Sequence, residues 1–143
     1  MNILERLRKG SVTTSAEATR TLAAEFAAAL PPDSTLALHG DLGVGKTTFV
    51  QGLAAGLGIQ EPVTSPTFNI FTLHRGRTNL LHLDAYRLEH SQQVEDLLLA
   101  DFMITPWCLA VEWPGKIADW LPATTLHLEF GINPNQDHTI RLR

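Results

Sequence analysis

The sequence has a single cysteine, Cys108, and therefore no internal disulfide. Nothing in it calls for an oxidising compartment. Cys108 lies in the apolar run WCLAVEW with no activating base evident, which makes it a small buried hydrophobe and not a nucleophile. No apolar run approaches the roughly 20 residues that cross a bilayer. The Ala-rich stretch from Leu22 to Leu30 is short and carries Glu25. The charged opening MNILERLRKG leads into polar sequence, unlike a secretory leader. Basic residues are not in excess: 11 Lys and Arg stand against 15 Asp and Glu, for a formal net charge of -4. That balance argues against an autonomous nucleic-acid binder with a basic face. Repeats, low-complexity tracts and Pro/Gly/Ser-rich linkers are also lacking. One domain over 1–143 is expected, with the cytoplasm as the default location and no membrane partner. The six histidines lack metal-ligand spacing, so zinc is not expected.

What is present is an alternation of short apolar elements. Thr14-Ser15-Ala16-Glu17 has the pattern of a capping box and predicts a helix to about Leu30, stopped by Pro31-Pro32. Thr35 to His39 predicts a strand, and Lys46 to Leu57 a helix with Gly58 just beyond its end. Asn69 to His74 and Asn79 to Asp84 predict a hairpin around Arg75-Gly76-Arg77. Ser91 to about Asp101 predicts a helix, Trp107 to Glu112 a central buried strand, and Trp113 to Leu121 a short helix. Thr125 to Phe130 and His138 to Leu142 alternate apolar and polar residues, as a final antiparallel pair would. The expected fold class is α/β: a P-loop NTPase-like three-layer fold with a mixed central sheet.

Between the first strand and the second helix stands GDLGVGKT, which fits G-x-x-x-x-G-K-[ST] at every fixed position. Glycines allow the backbone to wrap phosphate oxygens, and successive N–H groups form an anion-binding nest. The helix that follows adds the positive end of its dipole. Asp41, Leu42, Gly43, Val44 and Gly45 thus form a phosphate-binding loop. Lys46 places an ammonium on the β- and γ-phosphates, Thr47 offers a hydroxyl to magnesium, and Thr48 stands near the α-phosphate. The segment [NT]-K-x-D, which reads guanine, is absent, and no D-x-x-G follows the loop. Adenine is favoured by elimination, so the expected cofactors are ATP and Mg2+.

Such a site needs a second anchor, usually an acid at a strand end. Glu112 ends LAVE and Asp84 ends LLHLD. Glu112 is assigned to the metal or to water positioning, and Asp84 to the same cluster. Trp113 follows Glu112 directly and can stack on a base or cover phosphates. Gly115 is counted with it among the nucleotide-binding residues. Trp107 and Trp120 read as packing residues. The loop Thr64-Ser65-Pro66-Thr67-Phe68 occupies the position of a γ-phosphate-sensing loop, where Thr67 can supply a hydroxyl or a carbonyl. His82 and Asp84 alternate on one strand and share a face. Two other readings use the same loop. A small-molecule kinase would need an acceptor pocket and mobile arginines, for which Arg75, Arg77 and Arg87 are available. A non-hydrolysing nucleotide-gated module would keep Lys46 and Thr47 without needing Asp84 or Glu112.

Taken in order, GDLGVGKTTF, VTSPTFNI, LLHLDAYRL and LAVEWPGK resemble the TsaE (also called YjeE) family of bacterial ATPases, over roughly Thr13 to Leu128. The resemblance implies a role in the threonylcarbamoyl adenosine (t6A) modification of tRNA at position 37. It further implies work with two partners, TsaD and TsaB, with tRNA met only through that complex. ATP hydrolysis would be weak alone and would drive or reset the complex. Carried over, Thr47 and Glu112 bind magnesium, Asp84 is the acid needed for hydrolysis, and Trp113 supports the ATPase. Thr13 and Ser15 belong to a segment on the base side of the nucleotide. The chain departs from the family's pattern at Gly115, where relatives often carry a polar or acidic residue. It departs again at Asn135-Gln136-Asp137, where a Gly-Arg pair is common.

Overall fold

The structure is a computed structural model, and it describes residues 1–41, 43–64 and 70–143. The candidate site residues Leu42 and Thr67, with the rest of 65–69, lie outside the described residues. Among the described residues, seven strands form one sheet: β1 (Ser11–Thr13), β2 (Ser34–His39), β3 (Phe71–His74), β4 (Asn79–Asp84), β5 (Trp107–Glu112), β6 (Leu126–Ile132) and β7 (His138–Leu142). Their order is β1-β7-β6-β2-β5-β4-β3. The central strands β6, β2, β5 and β4 run parallel, β3 and β7 flank them antiparallel, and β1 pairs antiparallel with β7 at the outer edge. The sheet is mixed, as expected.

Helices α1 (Ile3–Lys9), α2 (Ala16–Ala29) and α3 (Lys46–Gly56) contribute to one face. There Phe26, Phe49, Leu53, Leu36, Leu38 and Leu128 form a buried core. Phe49 is fully buried, with its ring centroid 6.0 Å from Phe26 and 5.2 Å from Phe130. α2 and α3 pack through small residues spaced by four. A Cβ at Gly52 would lie 2.3 Å from the Arg20 carbonyl and 2.8 Å from the Ala23 methyl. One at Gly56 would lie 2.8 Å from both the Ala24 carbonyl and the Ala27 methyl. The two backbones therefore touch, which fixes the start of α2 relative to the start of α3.

The other face carries a second core of Leu81, Leu83, Leu109, Val111, Leu99 and Ile117, with Trp107, Trp113 and Trp120 packed against it. Its cover is made of short pieces: α4 (Gln92–Asp96) and 3-10 turns at Leu99–Phe102 and Pro114–Ile117. Cys108 is buried in the first core, and burial pushes its thiol up to about 12, in keeping with a packing role.

Several boundaries differ from the sequence reading. α1 and β1 were not anticipated. α1 buries only Leu7 fully, and β1 exists by pairing with β7. The cap of α2 is Ser15, whose Oγ accepts from the Ala18 amide, one residue after the expected Thr14. The helix expected over Ser91–Asp101 stops at Asp96, because Leu98 takes a left-handed conformation (φ 56°). The helix expected over Trp113–Leu121 is a single 3-10 turn that starts at Pro114, after a left-handed Trp113.

Candidate functional site

The phosphate-loop sequence leaves β2 at His39 and enters α3 at Lys46. Gly40 adopts φ 148°, and a side chain there would strike the Phe130 carbonyl at 2.8 Å and Val44 at 2.9 Å. Gly45 occupies the N-cap of α3 in a left-handed conformation (φ 93°) and offers no side-chain cap. The first N–H groups of α3 are thus left without the capping acceptor that most helices supply. This is the arrangement that a bound anion completes.

Lys46 is buried, and its ammonium donates to the Gly40 carbonyl at 2.6 Å while lying 4.1 Å above the centroid of the Trp113 ring. Burial pushes the ammonium below the ordinary lysine value, and the carboxylates of Glu112, Asp84 and Asp41 oppose that shift in that order. The acids come from neighbouring parallel strands. Asp84 ends β4, Glu112 ends β5, and the two are register partners. Side chains at paired positions share a face, so both carboxylates stand on the α3 side. Asp84 Oδ1 accepts from the Tyr86 amide, and Glu112 Oε2 meets His82 Nε2 at 2.6 Å in the buried wall.

These groups border a cleft of about 390 Å³, with Lys46, Thr47, Thr48, Asp84, Glu112 and Trp113 on its walls. Gly43 and Gly45 also reach it. Asp41 is exposed beside the cleft and Val44 is buried behind it. Gly115 lines a neighbouring groove with Asp41, Pro114 and Lys116, not this cleft. The 3-10 turn Pro114–Ile117 that follows Trp113 carries it there. Ser15 is occupied in capping α2, and Thr13 holds the Thr19 hydroxyl at 2.6 Å. Ala16 and Thr19, one residue and one turn further along, form the cleft wall instead.

Two cleft residues had no signal in the sequence. Thr19 is one turn into an Ala-rich helix. His138 begins β7, and its Nδ1 donates to the Val44 carbonyl at 3.0 Å while the ring packs on Gly45. Only the pairing of β6 with β7 brings it to the loop, so no linear motif could have located it.

Residues 13–140 match the family described as Threonylcarbamoyl adenosine biosynthesis protein TsaE. The chain belongs to the TsaE family. Among relatives named tRNA threonylcarbamoyladenosine biosynthesis protein TsaE, that of Bacillus subtilis is 41% identical over 117 residues, covering 81% of this chain and 73% of its own. That of Treponema pallidum is 38% identical over 103 residues, covering 72% and 76%. That of Rickettsia bellii is 31% identical over 131 residues and 90% of both chains. The crystal structure of Bacillus subtilis YdiB superposes with a TM-score of 0.76 at 34% identity, covering 92% of this chain and 81% of that one. The TsaE family match thus takes in the loop, both acids and His138. No described helix is long and apolar enough to cross a membrane.

Proposed function

We propose that this TsaE-family chain binds and hydrolyses ATP with Mg2+ in the formation of threonylcarbamoyl adenosine at position 37 of tRNA, working with TsaD and TsaB. One observation carries the reading: the uncapped start of α3 and the Lys46 ammonium face two carboxylates, Asp84 and Glu112, fixed side by side on neighbouring strand ends. The amide groups of the loop and the first turn of α3 hold the phosphates. Lys46 leaves the Gly40 carbonyl to meet the β- and γ-phosphates. Trp113, 4.1 Å from that ammonium, keeps water from it.

The donors at the cleft fit a hard cation, since the Thr47 hydroxyl and the carboxylates are oxygen ligands of the kind magnesium takes. Thr47 and Glu112 would hold it, and when bound it would neutralise charge developing on the transferred phosphoryl group. Asp84 orients the attacking water and accepts its proton. The Thr13–Thr19 pair and Ala16 support the base side of the nucleotide. Thr67, outside the described residues, would supply a hydroxyl or a carbonyl to the γ-phosphate.

Among the described residues no arginine lines the cleft. Arg77 is committed to the Gly56 carbonyl at 2.7 Å. An arginine finger is worth about 10³–10⁵ in rate where one is present. Slow hydrolysis by the isolated chain is therefore expected, with partners raising it. The test is ATP turnover by the chain alone and then with TsaD, TsaB and substrate tRNA. A clear rise with partners supports the reading. Lys46→Ala should remove nucleotide binding, while Asp84→Ala should keep binding and lose turnover. An unchanged rate in Asp84→Ala would take that residue out of the mechanism. Indifference to the partners would sink the role in tRNA modification.

A further inference from the structure

His82 is fully buried in the middle of β4, two residues before Asp84 and on the same face. Its Nε2 lies 2.6 Å from Glu112 Oε2, and its Nδ1 has no hydrogen-bond partner among the described residues. A carboxylate accepts, so the ring proton at this contact is on Nε2. A second histidine on this side of the sheet is arranged differently. His74 on β3 satisfies both nitrogens, Nδ1 with Glu61 at 2.6 Å and Nε2 with Thr72 at 3.1 Å. Burying a nitrogen without a partner is costly, and an aliphatic residue would fill the same space without that cost. The polarity of His82 therefore has one use, the bond to Glu112.

We infer that His82 is a positioning residue for the nucleotide site, holding the Glu112 carboxylate in the rotamer that presents its second oxygen to the cleft. This rests on the proposed ATPase reading of that site. His82 cannot touch the nucleotide itself, because it is 0% exposed and the cleft wall is formed by Glu112 and Asp84. The strand β4 thus serves the site twice: it supplies Asp84 directly and sets Glu112 from behind. Hydrogen bonds that orient a ligand from behind are typically worth 10- to 100-fold in metal affinity or activity.

The decisive pair of variants is His82→Gln and His82→Asn. A glutamine amide reaches the place of Nε2 and can donate to Glu112, whereas an asparagine amide stops at the place of Nδ1. Both bury an amide, so a merely structural role predicts similar behaviour. Turnover is measured with TsaD and TsaB present, and ATP affinity by calorimetry with and without magnesium. The expected result is a kcat about 10- to 100-fold lower in His82→Asn, a higher magnesium requirement, unchanged magnesium-free ATP affinity, and substantial recovery in His82→Gln. In a Glu112→Ala background the two variants should become equivalent.

A second readout needs neither nucleotide nor turnover, and covers the case in which a variant fails to fold. Imidazole nitrogen spectra of the wild-type chain should show the His82 proton on Nε2, with that resonance displaced in Glu112→Ala. Equal kcat in the Gln and Asn variants, or a proton found on Nδ1 facing no partner, would overturn the inference while leaving the ATPase standing. A wild-type chain that turns over no ATP with its partners present would remove the ATPase reading, and this inference with it.

Discussion

The two faces of the sheet are covered in different ways. On one, α2 and α3 are regular helices whose backbones touch through Gly52, Gly56, Ala23 and Ala27. On the other, the cover is α4 and two 3-10 turns, each turn entered through a residue in a left-handed conformation, Leu98 or Trp113. Among the described residues, the first face holds the phosphate loop and all the polar groups that line the cleft. The second holds none of them, yet it fixes Trp113 and the ends of β4 and β5 from behind. The difference suggests a division of labour: close-packed helices set the positions of the loop groups, and a patchwork of turns delivers one aromatic over them.

Substitutions can sharpen or break that contrast. The largest effect is expected at Phe49, which is fully buried among Phe26 and Phe130. Phe49→Ala should cost about 3–5 kcal/mol, read from the urea midpoint. Leu99 in the opposite cover is nearly as buried, but a short turn can close around a void. Leu99→Ala should cost nearer about 2 kcal/mol. Equal losses at the two sites would erase the distinction. Next comes Gly52→Val, which must force α2 and α3 apart. It should cost about 2–3 kcal/mol and weaken ATP binding together with stability. A stable Gly52→Val chain with full ATP affinity would refute the claim that this contact sets the cleft.

A smaller effect should follow pH at His39, on the face away from α3. Its Nε2 meets His127 Nδ1 at 2.9 Å. Burial first, then Arg143, His127 and Lys46, hold it below the ordinary value of 6.5, with Glu129 opposing. The folded state binds this proton less readily than the unfolded chain does. The contribution is therefore complete above about pH 6.5 and is lost as pH falls toward the folded value. Urea midpoints at pH 7.5 and 5.5 should differ less in His39→Gln than in the parent. The smallest effect is at Leu98, 61% exposed and left-handed. Leu98→Gly relieves backbone strain but frees the unfolded chain, so stability should shift by no more than about 1 kcal/mol. A larger loss would mean that the exposed leucine packs on something.

Legibility followed the same division. β2, β4 and β5 could be read because their apolar runs are nearly continuous, and the loop because its chemistry dictates its spacing. Lys46, Thr47, Asp84, Glu112 and Trp113 are the groups that the fold brings to one cleft. What was missed depends on partners far away in sequence. β1 has three residues and is a strand only beside β7. Thr14 and Ser15 are equally good caps by composition, and tertiary packing chose the second. The helix after Ser91 was read too long, since nothing about a leucine announces a left-handed turn. The alternation of His82 with Asp84 was visible, but its bond to Glu112 required knowing that β4 and β5 are neighbours.

The ammonium of Lys46 above the Trp113 ring also makes the site optically distinctive. A cation 4.1 Å from an indole alters the charge environment of its excited state. Trp107 and Trp120 pack in the second core, away from the loop, and serve as a steady background. If a phosphate drew Lys46 away, as proposed, the emission of one tryptophan in three would change. Trp113 would then report occupancy of the proposed nucleotide site without an added dye, and Trp113→Phe is the blank.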